Sequence, residues 1–145
     1  MIMAADVLYT PVDLLGVVAE LDLPGQANRV LWMLMEQQEA GGRCVFQQAK
    51  LAEKLKISRS SAIVALAALN AARLVYRPDG GYKSYQFNPM ISGYRTPADA
   101  WDAIEAMDPD DRLDDDHFIT NYKKRLATRD ARGARRRRTL LTIAG

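Results

Sequence analysis

The stretch from Gln48 to Phe87 constrains the fold more than any other part of the chain, because its elements are short and their ends are written into the sequence. Gln48 to Lys56 reads as a compact helix with Leu51, Ala52 and Leu55 turned inward. Ile57-Ser58 leaves room only for a tight turn, and Ser58 is placed to cap a second helix from Arg59 to about Ala72. There Ala62, Ala65, Leu66 and Leu69 fall at i, i+3, i+4 and i+7, a core-facing stripe. Leu74 to Arg77 and Tyr82 to Phe87 have strand character, and Pro78-Asp-Gly-Gly81 between them is turn chemistry that makes a hairpin.

The elements before this unit are also legible. Thr10 as cap, Pro11 at the first helical position and Asp13 three residues after the cap start a helix that runs to Leu21. Pro24-Gly25 breaks it, and a longer helix follows to about Ala40, ended by Gly41-Gly42. Its Ala27, Val30, Leu31 and Leu34 form the core stripe, whereas Trp32, Met33 and Met35 lie off it. Those three are either buried on a second side of one domain or form a dimer contact built by the first two helices. Cys44-Val-Phe-Gln47 is a candidate short strand.

With 145 residues, 48% of them hydrophobic, the chain can bury one core, so one domain plus an extension is expected. Its apolar runs fall far short of the roughly 18 residues a membrane helix needs. Met1 to Asp6 lacks the basic start and apolar run of a secretory signal, and the lone Cys44 suits a reducing cytoplasm. Cys44 is expected to be a buried small apolar residue. The net charge of +2 hides an asymmetry. Residues 1–98 carry ten bases and eight acids, residues 99–116 nine acids and only Arg112, and residues 117–145 nine bases against Asp130. The expected organisation is a domain over 1–95, an acidic-to-basic helical extension over 96–128 and a basic, flexible tail over 129–145.

In the extension, Thr96-Pro97-Ala-Asp99 is a helix start, and Trp101, Ile104 and Met107 give the helix one apolar face for docking on the domain. Pro109 ends it. A further helix begins near Asp114, with Phe118, Ile119, Tyr122 and Leu126 on one side and Lys123, Lys124 and Arg125 trailing, which suits the helix dipole.

The run Leu51-Ala-Glu-Lys-Leu-Lys-Ile-Ser-Arg-Ser-Ser-Ala62, followed by Leu66, Leu69, Leu74 and Val75, resembles the helix-turn-helix and first wing strand of winged bacterial DNA-binding proteins, over roughly residues 45–88. The implied fold is mainly α with a small β-hairpin wing, a winged helix-turn-helix with a C-terminal helical extension and basic tail. Gly25-Gln-Ala27, Val30-Leu31 and Tyr85-Gln-Phe-Asn-Pro89 extend a narrower resemblance, to RepL-type plasmid replication initiators, over about residues 14–94. Two departures stand out. Lys56 occupies a turn position often filled by Gly, where a positive φ costs a non-glycine residue roughly 1 kcal/mol. Ile63 and Val64 occupy mid-helix positions that commonly carry polar, base-reading side chains.

The resemblance implies a recognition helix (about 59–72) in the major groove of double-stranded DNA. Arg59, Ser60 and Ser61 would carry hydrogen-bonded readout, with Arg59 donating twice to guanine, and Ile63 and Val64 would meet thymine methyls or shape. Ser58 caps the same turn. Gln47, Gln48 and Lys50 at the start of the preceding helix would meet phosphates, and Arg77, Tyr82 and Lys83 would flank the wing tip. Arg129, Arg132, Arg135, Arg136, Arg137 and Arg138 would follow the backbone without reading bases. Each is otherwise a solvated surface group.

Catalytic readings fail on spacing. Gly81-Tyr-Lys-Ser84 lacks the adjacent Gly-Lys of a phosphate loop and lies between strands. Asp108, Asp110 and Asp114 would need a ligand and a Gly where Arg112 and Leu113 stand, so a calcium loop fails and the aspartates read as helix-start residues or a mimic of phosphate for the tail. His117 is the only histidine. A non-enzymatic cytoplasmic DNA-binding homodimer is therefore expected, without metal or cofactor and without a membrane. Its role would be plasmid- or phage-type replication or maintenance, with a MarR-like transcriptional regulator and a winged-helix protein–protein adaptor as alternatives.

Overall fold

A computed structural model describes residues 8, 10, 15–77 and 84–129. The chain is mainly helical with one small antiparallel sheet. In order it forms α1 (Leu15–Glu20), α2 (Ala27–Gln37), β1 (Arg43–Val45), α3 (Gln48–Leu55), α4 (Arg59–Ala71), β2 (Val75–Tyr76), β3 (Ser84–Phe87), α5 (Pro97–Glu105) and a 3-10 turn (Pro109–Asp111). A last helix, α6, covers residues 118–129. The proposed helix start at Thr10, Pro11 and Asp13 involves residues 11–14, outside the described residues.

The core is built on α2 and α3 against α4, as the two apolar stripes require. Val30, Leu34, Leu51, Leu66 and Leu69 are buried together with Tyr85 and Phe87 of β3. The sheet runs β1-β3-β2, with Cys44 opposite Tyr85 and Val75 opposite Phe87. Along β3 burial alternates, Tyr85 and Phe87 in, Ser84 and Gln86 partly out, which is the period of a strand covered on one face.

Helices α3 and α4 end alike. Past α3, Lys56 is left-handed at φ 55°, while the amides of Lys56 and Ile57 reach back to Glu53 and Ala52 carbonyls. Past α4, Arg73 is left-handed at φ 57°, with the amides of Arg73 and Leu74 on Asn70 and Leu69. Both are terminations in which a left-handed residue lets orphan carbonyls be satisfied, and both use a cationic residue where glycine is commonest. Each helix end also receives an arginine from another helix: Arg29 Nη2 donates to Leu55 O at 2.9 Å and Arg125 Nε to Ala71 O at 2.6 Å. Positive charge at a helix C-terminus complements the dipole.

Several boundaries differ from the sequence expectation. Helix α2 stops at Gln37, three residues before Ala40, because Gln38 turns extended and bridges to Cys44. Gly41 and Gly42 then carry the chain into β1 at positive φ. The approach there is close: a Cβ on Gly93 would lie 2.8 Å from Gly42 Cα. The strand near Cys44 begins at Arg43 and ends before Phe46. Leu74 is not in β2, since its amide is used to finish α4. Trp101 is 52% exposed, so α5 docks through Ala100 and Ile104 instead. Helix α6 begins at 118 and not near Asp114, because the Asp115 side chain accepts the His117 amide at 2.7 Å and holds a turn there.

The extension shares the domain's core, where Ile104, Leu113, Phe118 and Tyr122 are buried. Asn88 makes the joint. Fully buried, it donates from Nδ2 to Arg73 O (2.9 Å), Asp111 O (3.1 Å) and Tyr76 Oη (3.2 Å), and accepts the Met90 amide at 2.8 Å. One side chain thus ties the end of α4, the sheet and the 3-10 turn. A cysteine in the same core, Cys44, is fully buried, and burial, followed by the charge of Glu39, pushes its thiol up to about 11. Among the described residues no helix is long and apolar enough to cross a membrane.

Candidate nucleic-acid interface

Helix α4 presents only its first two turns. Ser58 is extended at φ −68° and ψ 154°, and its Oγ accepts the Ser61 amide at 3.0 Å, the expected cap. The same hydroxyl donates to Ser61 Oγ at 2.8 Å and lies 3.1 Å from Ser60 Oγ. The three serines expected to face a ligand are thus engaged with one another, and Ser61 is half-buried. Arg59 and Ser60 are exposed, as are Ile63 (38%) and Val64 (59%). One turn further, Ala67 is 5% exposed, and Ala68 and Ala71 are buried as well. Asn70 donates to Val75 O at 3.3 Å, so the second half of α4 is committed to the fold.

Around this free end lie other residues singled out from sequence. Gln47 is extended at the start of α3 and makes no side-chain cap bond; it and Lys50 are exposed. Gln48 and Arg77 are half-buried, and Arg77 stacks its guanidinium over the Tyr85 ring at 5.9 Å, which fixes the charge at the edge of the sheet. Gln48, Ile63, Ala67, Asn70, Arg77 and Arg129 line one shallow groove of about 370 Å³. Arg129, expected at the start of the tail, is still helical and is the last described residue. Tyr82, Lys83, Arg132 and Arg135 to Arg138 lie outside the described residues.

A second basic cluster was not legible in the sequence. Arg73 Nε sits 3.4 Å from Asp111 Oδ1 without hydrogen-bond geometry, and Arg125 reaches the same corner from α6. Burial and then the charge of Arg73 hold the Arg125 guanidinium below the usual arginine range. Burial, with Asp111 next, pushes the Tyr76 phenol above its ordinary value. No local motif marks these groups, since the loop and helix that bring them together are far apart in sequence.

Asp108, Asp114 and Asp115 of the acidic block make local contacts. Asp108 Oδ1 accepts the Asp110 amide at 3.0 Å and starts the 3-10 turn, as expected of a helix-start residue. Arg112 grips Asp114 through Nε (3.0 Å) and Nη2 (2.8 Å), and that contact holds the Asp114 carboxyl below its ordinary value. His117 is exposed. Among the described residues no group of three or more His, Cys, Asp or Glu side chains is placed to hold a metal ion. No family model, curated protein or solved structure matches the chain.

Proposed function

We propose that the chain is a non-enzymatic winged helix-turn-helix protein that binds double-stranded DNA in the cytoplasm as a homodimer. The observation that carries this reading is the free N-terminal end of α4. Arg59, Ser60, Ile63 and Val64 are exposed there, and Gln48 of α3, Arg77 at the sheet edge and Arg129 of α6 line the groove beside Ile63. A helix offered by its first turns is what a major groove accepts, and flanking cations suit phosphates. The antiparallel pairing of β2 with β3, next to β1, is compatible with a hairpin wing. The resemblance carried by Gly25-Gln-Ala27 and by Tyr85 to Pro89 favours a role in plasmid- or phage-type replication or maintenance over MarR-like transcriptional regulation.

The engagement of Ser58, Ser60 and Ser61 with one another concentrates hydrogen-bonded readout on Arg59. Selection of duplexes from a random pool by the purified protein, followed by anisotropy titrations, tests the reading. Arg59→Ala should cost roughly 1–3 kcal/mol on the selected site and relax preference at one base. Equal loss on selected and random duplex assigns Arg59 to phosphate instead. A second reading, a protein–protein adaptor, is favoured by the exposed Ile63 and Val64. Absence of duplex binding at low salt, together with capture of a protein partner lost on Val64→Ser, would establish that alternative.

A further inference from the structure

The groove beside Ile63 continues along α4. Past Ala67, Asn70 and Arg129 it opens into a second groove of about 420 Å³, bordered by Arg73 beyond the end of α4 and by Lys124 and Arg125 of α6. From Ile63 to Ala71 the helix rises about 12 Å, so the two grooves form a path leading away from the proposed reading end. Four cations border the second groove. The acids on that side are Asp111, 3.4 Å from Arg73, and Asp110.

We propose that this second groove holds the phosphate backbone of the same duplex whose bases face Arg59, with Arg73, Lys124, Arg125 and Arg129 as its cationic lining. The inference rests on the DNA-binding reading and adds α6 to the interface. Four features support it. Two of the cations are held in place, Arg125 by its bond to Ala71 O and Arg73 by its approach to Asp111. Burial first and then the charge of Arg73 lower the Arg125 pKa against the opposing charge of Asp111, and a phosphate in the groove adds to that relief. Arginine also takes phosphate through a planar fork, and a phosphodiester supplies the acceptor oxygens that fork matches. The walls of Ala67 and Ala71 are small, so a backbone can approach α4 there.

The test uses the full chain with Lys124→Gln and Arg129→Gln together, because both side chains are exposed. Thermal melting first establishes that the double variant is folded like the parent. Duplex affinity is then measured between about 50 and 200 mM salt. Losing two phosphate contacts should flatten the slope of log affinity against log salt by roughly 1.8, with selected and random duplexes weakened alike. An unchanged slope in the double variant, where Arg59→Ala still weakens binding, overturns this groove and leaves the reading helix standing. Failure of the parent protein to bind any duplex at low salt overturns both. Inorganic phosphate at matched ionic strength supplies the last arm. If it displaces duplex from the parent but not from the double variant, the groove is where duplex phosphate is held; equal displacement from both puts the competed contacts elsewhere and overturns the assignment.

Discussion

Two buried residues show how far a single side chain can determine this architecture. Asn88 has no exposure and satisfies three carbonyl or hydroxyl oxygens and one amide. Truncating it orphans several buried groups at once, each worth about 1–3 kcal/mol when left unpaired. Asn88→Ala should therefore destabilise the chain by on the order of 3 kcal/mol in urea titrations, with an unchanged m-value. A loss under about 0.5 kcal/mol would mean that water replaces the amide without penalty. Cys44 gives a chemical readout of the same core. Its pKa near 11 and its burial leave little thiolate below pH 9, so a thiol reagent should label it only through opening of the sheet. The raised value implies stability present below the ordinary thiol pKa of 9.0 and lost as pH climbs through 11. Rapid native labelling at pH 8 would contradict the buried placement. Burial of Cys44 was legible from composition, whereas the Asn-Pro pair at Asn88 was visible only as a resemblance, because its partners lie up to 23 positions away.

At the scale of elements, what local chemistry decides was readable and what distant partners decide was not. Helix α4 begins where Ser58 caps it, and its stripe of Ala62, Ala65, Leu66 and Leu69 is buried. Helix α2 runs into Gln38, Glu39 and Ala40, residues with no local reason to stop. It stops because Gln38 pairs with Cys44 and gives its side-chain amide to Ser92 Oγ at 2.9 Å, while the Gly41 amide takes Gly93 O at 2.6 Å. Tertiary pairing overrides helix propensity there. Trp101 fell on a plausible apolar face by spacing, yet α5 buries Ala100 and Ile104 and leaves Trp101 exposed. The turn between α3 and α4 is the converse case, since the sequence position flagged at Lys56 is left-handed. Lys56→Gly removes that conformational cost but loosens the unfolded chain, so a net gain of a few tenths to about 1 kcal/mol is expected. Thermal melting measures it, and a net loss would mean that the lysine side chain contributes more to the folded state than its backbone costs.

Across the whole molecule, one core joins the domain and its extension, and apolar surface is left over on α1 and α2 as well as at α4's free end. Trp32 is 65% exposed and Leu15 46%, beside a hollow of about 440 Å³ lined also by Val18, Leu31, Met35 and Ile91. The sequence left Trp32, Met33 and Met35 open between second-side burial and a dimer contact; Met33 and Met35 are half-buried against the core, whereas Trp32 is exposed. A large aromatic left out of an otherwise closed core is the kind of anchor that carries an isologous interface. A two-fold dimer through α1 and α2 would present two copies of α4 to one duplex, which doubles the phosphate contacts without any new side chain. Light scattering should then give twice the chain mass at tens of micromolar, roughly the range in which an ordinary dimer forms. Trp32→Ser should return the monomer while leaving the unfolding free energy from urea titration, measured at concentrations where both proteins are monomeric, within about 0.5 kcal/mol of the parent. Fluorescence adds a direct reporter. With Trp101→Phe, the remaining Trp32 should shift its emission to the blue as concentration rises, because assembly removes the indole from water. A parent chain that scatters as a monomer, or a Trp32 emission that ignores concentration, assigns the hollow to something other than a second copy.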